Sequence, residues 1–307
     1  MILFYGCRDD EPLSRAVDAA REAGVGHIVL DQNRLAHYDL VFGPGLGDRL
    51  RAEGRSLSLD EVTAVYARPL VPPATAGGPT AQARTDAFHR WFTEWLDVAG
   101  ALVVNRPAAM ESNGSKPYQA QLIARAGFAV PDTLVTDDPD EVRAFRDLHG
   151  RIVYKSISGI RSVVRELTVE DESRLHLVRG LPTQFQAYVP GRDVRVHVVD
   201  GRTFATAVDS PAIDYRYAHR DGLGAELSPC VLPGDVVRRS VALSAALGLP
   251  LSGIDLRVRP DGEWVCFEVN PMPAYTFYES HTGQRIAAAL VALLAGAHMG
   301  GPAPAGV

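Results

Sequence analysis

Two apolar strands with acids on one face constrain this chain more than any other feature. "SGIDLRV" (252–258) and "WVCFEVN" (264–270) flank the turn signal "PDG" at 260–262, so they read as neighbouring antiparallel strands. Side chains alternate across a strand, which puts Asp255 with Arg257 on one face and Glu268 with Asn270 on one face. Val269 packs on the other side, and Pro271 ends the ladder just past the pair. A strand end emerging into water would explain Glu268 and Asn270 taken alone. Asp255 is harder to explain that way, because aspartate is depleted in strands and seldom buried without a partner. Asp255, Glu268 and Asn270 together make a three-oxygen platform that, completed by phosphate oxygens, suits Mg²⁺ better than Zn²⁺.

The rest of the chain is read around that hairpin. Its 307 residues exceed one ordinary core, so about 2–3 domains are expected. The first hundred alternate the strands "ILFYG", "HIVL", "DLVFG", "AVYAR" and "ALVVN" with helical periods, the pattern of an open α/β sheet. In the first helix Leu13, Ala16, Val17 and Ala20 share a face. "PLVPPATAGGPTAQAR" (69–84) reads as a mobile loop, and "GPGLG" (43–47) as a plain turn rather than a phosphate loop.

A second unit starts near Glu111. It holds a helix ending at Gly127, the strand "TLVT", and a helix start at "DPDE" with Asp138 as cap and Glu141 closing a capping box. Beyond "TQFQAYV" the pattern turns strand-rich. The expected units are 1–110, 111–188 and 189–307: α/β, becoming α+β in the C-terminal part.

Composition excludes several classes. A net charge of −6 argues against nucleic-acid binding as the main activity. The three cysteines form no CxxC and suit a reducing cytoplasm. The nine histidines lack zinc-site spacing. "MILFYGCRDD" turns acidic too early for a signal peptide, and "IAAALVALLAGA" (286–297) is short for a membrane span and reads as a core helix. The tail "GPAPAGV" is expected to be disordered.

Three further segments carry chemistry. Lys155 ends a strand and precedes Ser156, Ser158, Gly159 and Ser162; small residues let backbone N–H groups approach a phosphate while the lysine supplies charge. Taken alone, a strand-end lysine is more often simply solvated. "FQAYVPGRDVRVHVV" (185–199) offers an extended segment able to read an adenine edge, then in Asp193 a carboxylate able to bind ribose hydroxyls. Asp193 and Arg195 equally fit an exposed cross-strand pair. Lys116 adds a cation at a helix start.

The order Lys116, "YKSISG", "FQAYVPGRDVR", "GIDLR", "CFEVNPMP" resembles the ATP-grasp ligases of the glutathione synthetase and RimK type, over nearly the whole chain. The resemblance implies a three-domain ATP-grasp fold holding ATP between two antiparallel-rich sheets. It assigns Lys116 and Lys155 to the nucleotide phosphates, and Ser158 and Gly159 to a closing loop; the small residues of 156–162 read as flexible, with Arg161 at the tip. Gln186, Ala187, Tyr188 and Val189 match the adenine hinge, and Asp193 matches the ribose carboxylate. Asp255, Glu268 and Asn270 match the Mg²⁺ ligands, and Arg195 the arginine near the transferred phosphoryl group.

Within that family the chain looks closest to the graspetide synthetases, which macrocyclise ribosomal peptides. "VYARPL" resembles their Arg-Pro segment, and "DSPAIDYR" their Asp-aromatic-Arg element, here Asp214, Tyr215 and Arg216. Two departures stand out: Gln186–Ala187 replaces an acid in the hinge, and "NPMPAYTFYESHTG" is similar to RimK-like ligases of unassigned substrate.

The resemblance implies an ADP-forming carboxylate–amine or carboxylate–hydroxyl ligase using ATP and Mg²⁺ through an acyl phosphate, with Arg195 and Arg216 stabilising charge. A small-molecule amino-acid ligase, a kinase on a related fold and an ATP-binding scaffold without turnover are the rivals. Expected partners are a peptide or a small carboxylate and amine, with no nucleic acid and no membrane; a homodimer or homotetramer is left open.

Overall fold

The computed structural model describes residues 1–43, 47–52, 54–72, 74, 77–156, 164–212, 215, 222 and 224–296. Strand β1 (Ile2–Gly6), helix α1 (Glu11–Glu22) and β2 (His27–Asp31) open the chain. Asp10 caps α1 by accepting from the Leu13 N–H at 3.2 Å, and the helix buries Leu13, Ala16, Val17 and Ala20, the face read from the sequence. Three short strands follow, β3 (Asp39–Val41), β4 (Arg49–Ala52) and β5 (Arg55–Ser58), paired antiparallel in a sheet of their own. "DLVFG" was expected in the main sheet and lies instead in this small one. Its Asp39 and Val41 are exposed, which a central parallel strand, covered on both faces, does not tolerate.

β6 (Ala64–Ala67), α2 (Gly78–Val98) and β7 (Leu102–Val104) complete a wholly parallel sheet of order β2-β1-β6-β7. Helix α2 corrects the expected loop over 69–84, since it begins at Gly78. Pro79 fits the first helical turn, and the Ala-Gln-Ala-Arg run that follows favours helix; Thr85, Phe88, Phe92 and Leu96 then make one buried seam. "GPGLG" is described only at its ends, its residues 44–46 lying outside the described residues.

The middle of the chain holds α3 (Pro107–Met110), α4 (Lys116–Arg125), β8 (Thr133–Thr136), α5 (Pro139–His149), β9 (Ile152–Ser156), β10 (Arg165–Glu166) and β11 (Thr183–Ala187). The strands form an antiparallel sheet of order β10-β9-β11-β8. Asp138 caps α5 through the Asp140 N–H at 2.9 Å. The Asp138 N–H donates to Thr136 Oγ1 at 3.0 Å, which takes the place of the expected reciprocal bond from Glu141.

The last sheet is antiparallel with order β14-β13-β12-β15-β16. Its elements are β12 (Arg192–Val199), β13 (Arg202–Asp209), β14 (Glu226–Pro229), α6 (Gly234–Ala246), β15 (Leu251–Val258) and β16 (Trp264–Asn270), followed by α7 (Tyr275–Thr282) and α8 (Ile286–Gly296). Alternation divides its two faces. Val194, Val196, Val198, Ile254, Leu256, Cys266 and Val269 pack with Ile123 of α4 and Val236 and Leu243 of α6 in one core. Asp193, Arg195, His197, Gly253, Asp255 and Arg257 are left for the opposite face.

Helix α8 is the core helix expected from its composition, and its partner is the beginning of the chain. Ile286, Leu290 and Leu294 are fully buried with Phe4, Leu13 and Ala16, and Val199 and Leu251 join the same cluster. Each such side chain contributes about 1.5–3 kcal/mol of apolar burial. The parallel sheet and the last antiparallel sheet therefore share one core. No helix among the described residues is long and apolar enough to cross a membrane. The tail "GPAPAGV" lies outside the described residues.

Candidate active site

The two larger antiparallel sheets face one another across a cleft. Val153, Lys155, Gln186, Ala187, Tyr188 and Val189 line it from the middle unit, and Asp193, Asp255, Arg257, Phe267 and Glu268 from the last sheet. Most of the residues singled out from the sequence therefore meet in one place. Lys155 is 7% exposed and stands across β9/β11 from Gln184. Gln186 donates from Nε2 to Thr133 Oγ1 at 3.0 Å.

Two ion pairs cross from β12 to β15 with opposite polarity, set by the register Asp193↔Arg257 and Arg195↔Asp255. Arg257 holds both Asp193 oxygens at 2.8 Å, and its Nη1 donates to the Val189 carbonyl at 2.8 Å. One arginine thus ties the Val189 backbone to the Asp193 carboxylate beyond it. Arg257 also lies 5.2 Å from the Phe267 ring centre and 5.9 Å from that of Tyr188, while Arg151 stacks on Tyr188 at 3.8 Å.

The second pair lies deeper. Arg195 donates from Nη1 to Asp255 Oδ1, with side chains 7% and 22% exposed. Burial alone would push the Arg195 guanidinium down, but Asp255 and then Tyr278 and Tyr215 outweigh it, so its pKa is raised and the charge is kept. Gly253 makes room for it: an added Cβ would lie 2.2 Å from Arg195 Nη2. His197, fully buried, accepts from Arg195 Nε at 3.4 Å, and burial, then the Arg195 charge, push its pKa well below 6.5. The Tyr278 ring lies 5.5 Å from the guanidinium, and its hydroxyl is 2.7 Å from that of Tyr215.

Asp255 and Glu268 stand directly opposite on β15 and β16. The register slips by one just beyond them, so that Leu256 faces Cys266 and Phe267 has no partner. This bulge turns the consecutive residues Phe267 and Glu268 both into the cleft, which strict alternation forbids. Asn270 donates from Nδ2 to Asp255 Oδ2 at 3.2 Å. Two opposed carboxylates with an amide alongside make a hard-oxygen donor set that fits Mg²⁺, and Asp255, Glu268 and the Asn270 amide oxygen would hold it.

Lys116 is the first residue of α4 and does not line the cleft wall. Its helix is keyed to the site by Gln119, whose buried amide donates to the Val269 carbonyl at 2.8 Å and accepts from the Val269 N–H at 2.9 Å. The amide thereby pairs the outer edge of β16 as another strand would. Ser158, Gly159, Arg161, Asp214 and Arg216 lie outside the described residues.

Sequence reasoning missed Arg257, Phe267, His197, Gly253 and Gln119. Arg257 carried a signal, an arginine two residues beyond Asp255 in an apolar strand; the other contacts depend on register and packing. The three thiols are not reactive candidates: burial above all raises the pKa of Cys7, Cys230 and Cys266, and Asp255 and Glu268 add to it at Cys266.

A family profile described as RimK-like ATP-grasp domain matches residues 114–294. The chain belongs to that family, and its fold is the ATP-grasp fold. It is 30% identical over 204 residues to a beta-citrylglutamate synthase B of Danio rerio, covering 62% of this chain and 50% of that protein. It is 27% identical over 198 residues to a probable alpha-L-glutamate ligase of Aliivibrio salmonicida, covering 61% and 65%. The chain thus spans about half to two thirds of the curated relatives it matches.

Among solved structures, the ATP-grasp ligase PsnB, complexed with a phosphomimetic variant of its minimal precursor, Mg and ADP, superposes with a TM-score of 0.81 at 26% identity. That match covers 96% of this chain and 98% of PsnB. The macrocyclase MdnC of Microcystis aeruginosa MRC, bound with precursor peptide MdnA, superposes at 0.80 with 21% identity over 96% and 99%, a likeness of fold.

Proposed function

We propose that this chain is an ATP- and Mg²⁺-dependent, ADP-forming carboxylate–amine ligase whose carboxylate substrate belongs to a peptide. The observation that carries the reading is the single cleft between two antiparallel sheets, with a buried lysine and the hinge on one wall and two opposed carboxylates with a buried arginine on the other. The likeness to PsnB over nearly the full length of both chains supports the peptide. We read the chain as three units, 1–110, 111–188 and 189–307, the first and last sharing a core.

In this reading the backbone of Gln186–Val189 meets the adenine edge, and Asp193, aimed by Arg257, meets the ribose. Lys155 and Lys116 neutralise the phosphates. Mg²⁺, when bound, supplies charge neutralisation and orients the terminal phosphate. Arg195 offers donors, fixed in advance, to the phosphoryl group as it moves to the substrate carboxylate. The resulting acyl phosphate is then attacked by the amine, which expels phosphate. Arg216, outside the described residues, keeps the role that the resemblance gives it, stabilising negative charge on the acyl phosphate.

Full-length protein incubated with ATP, Mg²⁺ and carboxylate-bearing peptides tests this. The expected result is ADP, with loss of one water from the peptide per bond formed and capture of a hydroxamate when hydroxylamine is added. AMP release or a stably phosphorylated product refutes the ligase. Condensation of free glutamate with no peptide product would select the small-molecule reading that the glutamate ligase relatives favour.

A further inference from the structure

His197 sits two residues beyond Arg195 on the same face of β12, opposite Gly253 of β15. It has no exposure, its ring lies 4.9 Å from that of Tyr278 at 63°, and its Nε2 accepts from Arg195 Nε at 3.4 Å. With Nε2 accepting, Nδ1 carries the proton, and Nδ1 is buried with no hydrogen-bond partner among the described residues. An aliphatic side chain would fill the same volume without stranding a buried N–H. Packing alone therefore does not account for a histidine at this position.

Arg195 shows what the ring can do. Asp255 takes one nitrogen of the guanidinium, and a single bond at Nη1 leaves the plane free to swing. A second acceptor at Nε fixes that plane, and Tyr278 covers one side of it at 5.5 Å. Nη2 is then left beside Gly253, where no Cβ obstructs it. The acceptor at Nε also has to be uncharged. A carboxylate there would neutralise Arg195 a second time and repel a phosphate, whereas an imidazole accepts without adding charge.

We propose that His197 is a positioning residue for Arg195, its Nε2 fixing the guanidinium plane so that the remaining N–H groups meet the terminal phosphoryl group of a bound nucleoside triphosphate. This rests on the reading of Arg195 as the arginine that meets that group. The position is specific to the γ-phosphate, so the role separates triphosphate from diphosphate binding.

Calorimetric titration with ADP–Mg²⁺ and with the β,γ-imido analogue of ATP and Mg²⁺ tests it on full-length protein. His197→Leu should weaken the triphosphate analogue on the order of tenfold, the scale of one charge-assisted hydrogen bond, and leave ADP as in the wild type. His197→Gln, which keeps a neutral acceptor, should recover most of the loss, and His197→Met serves where leucine packs badly.

Parallel losses for both nucleotides, or no loss for either in His197→Leu, would overturn the positioning role. Arg195→Met distinguishes the two failures. If it loses the analogue while His197→Leu does not, the reading of Arg195 stands and that of His197 falls. If it too binds the analogue normally, Arg195 does not meet the phosphoryl group and both readings fall.

Discussion

Gly253→Ala is a one-carbon test of how the deep pair is built. An added Cβ would lie 2.2 Å from Arg195 Nη2, 2.7 Å from its Cζ and 2.8 Å from Pro273 Cβ. The proline ring is rigid, so the guanidinium has to move, and movement breaks its bond to Asp255. Gly253 has no positive φ, so the backbone itself accepts alanine. Overpacking costs about 1–3 kcal/mol, and replacing a mid-strand glycine returns about 0.5–1 kcal/mol.

The net loss is about 0–2.5 kcal/mol, a fall of at most a few degrees in melting temperature. The nucleotide effect should be larger. Losing one charge-assisted hydrogen bond to the terminal phosphate costs about 1.5–3 kcal/mol, or roughly 10- to 150-fold in Kd. Melting curves of the free protein and titrations with ADP and the imido analogue measure the two separately. A Gly253→Ala protein that melts a few degrees lower and still binds the analogue like the wild type refutes the reasoning.

Glu268→Gln should preserve the fold and raise the Mg²⁺ concentration needed for triphosphate binding on the order of 100-fold, at least the loss caused by removing partners behind a metal ligand; unchanged Mg²⁺ dependence would return Glu268 to a solvated strand end. Gln119→Leu strands the Val269 N–H and carbonyl, at about 1–3 kcal/mol each, and should lower the melting temperature by more than Gly253→Ala does; an unchanged melt would show that water replaces the amide. His197 and His89 are both held neutral, chiefly by burial, below their ordinary value of 6.5. The unfolded chain therefore binds more protons as pH falls through about 6.5, so stability is full above that value and declines below it. Melting curves between about pH 7.5 and 5.5 should show that decline, and His197→Leu should flatten it.

The hairpin of Asp255, Glu268 and Asn270 was legible because its polar residues break apolar strands at a spacing that fixes their face. Gln186–Val189 and Asp193 were singled out through the ordered resemblance, and they line the same cleft as Asp255 and Glu268. What lay beyond reach was register. Asp193 and Arg195 fitted either ligand contacts or an exposed cross-strand pair; each does meet an opposite charge on β15, but which partner it takes is set by a ladder the sequence does not print.

The bulge at Phe267 hides in an unremarkable apolar run, and only the slipped pairing reveals two consecutive residues facing the cleft. Gln119 is an ordinary helix residue by pattern, and only the exposed edge of β16 gives it work. The amphipathic face of α1 was plain, but its partner α8 lies at the other end of the chain.

The most direct test of the central claim is a crystal structure of the protein with the imido analogue of ATP and Mn²⁺ in place of Mg²⁺, the metal located by its anomalous signal. The account predicts the base against Gln186–Val189, the ribose at Asp193, and the metal between the phosphates and the carboxylates of Asp255 and Glu268, with Arg195 on the terminal phosphate. A nucleotide bound elsewhere, or a metal that leaves Asp255 and Glu268 untouched, would contradict it.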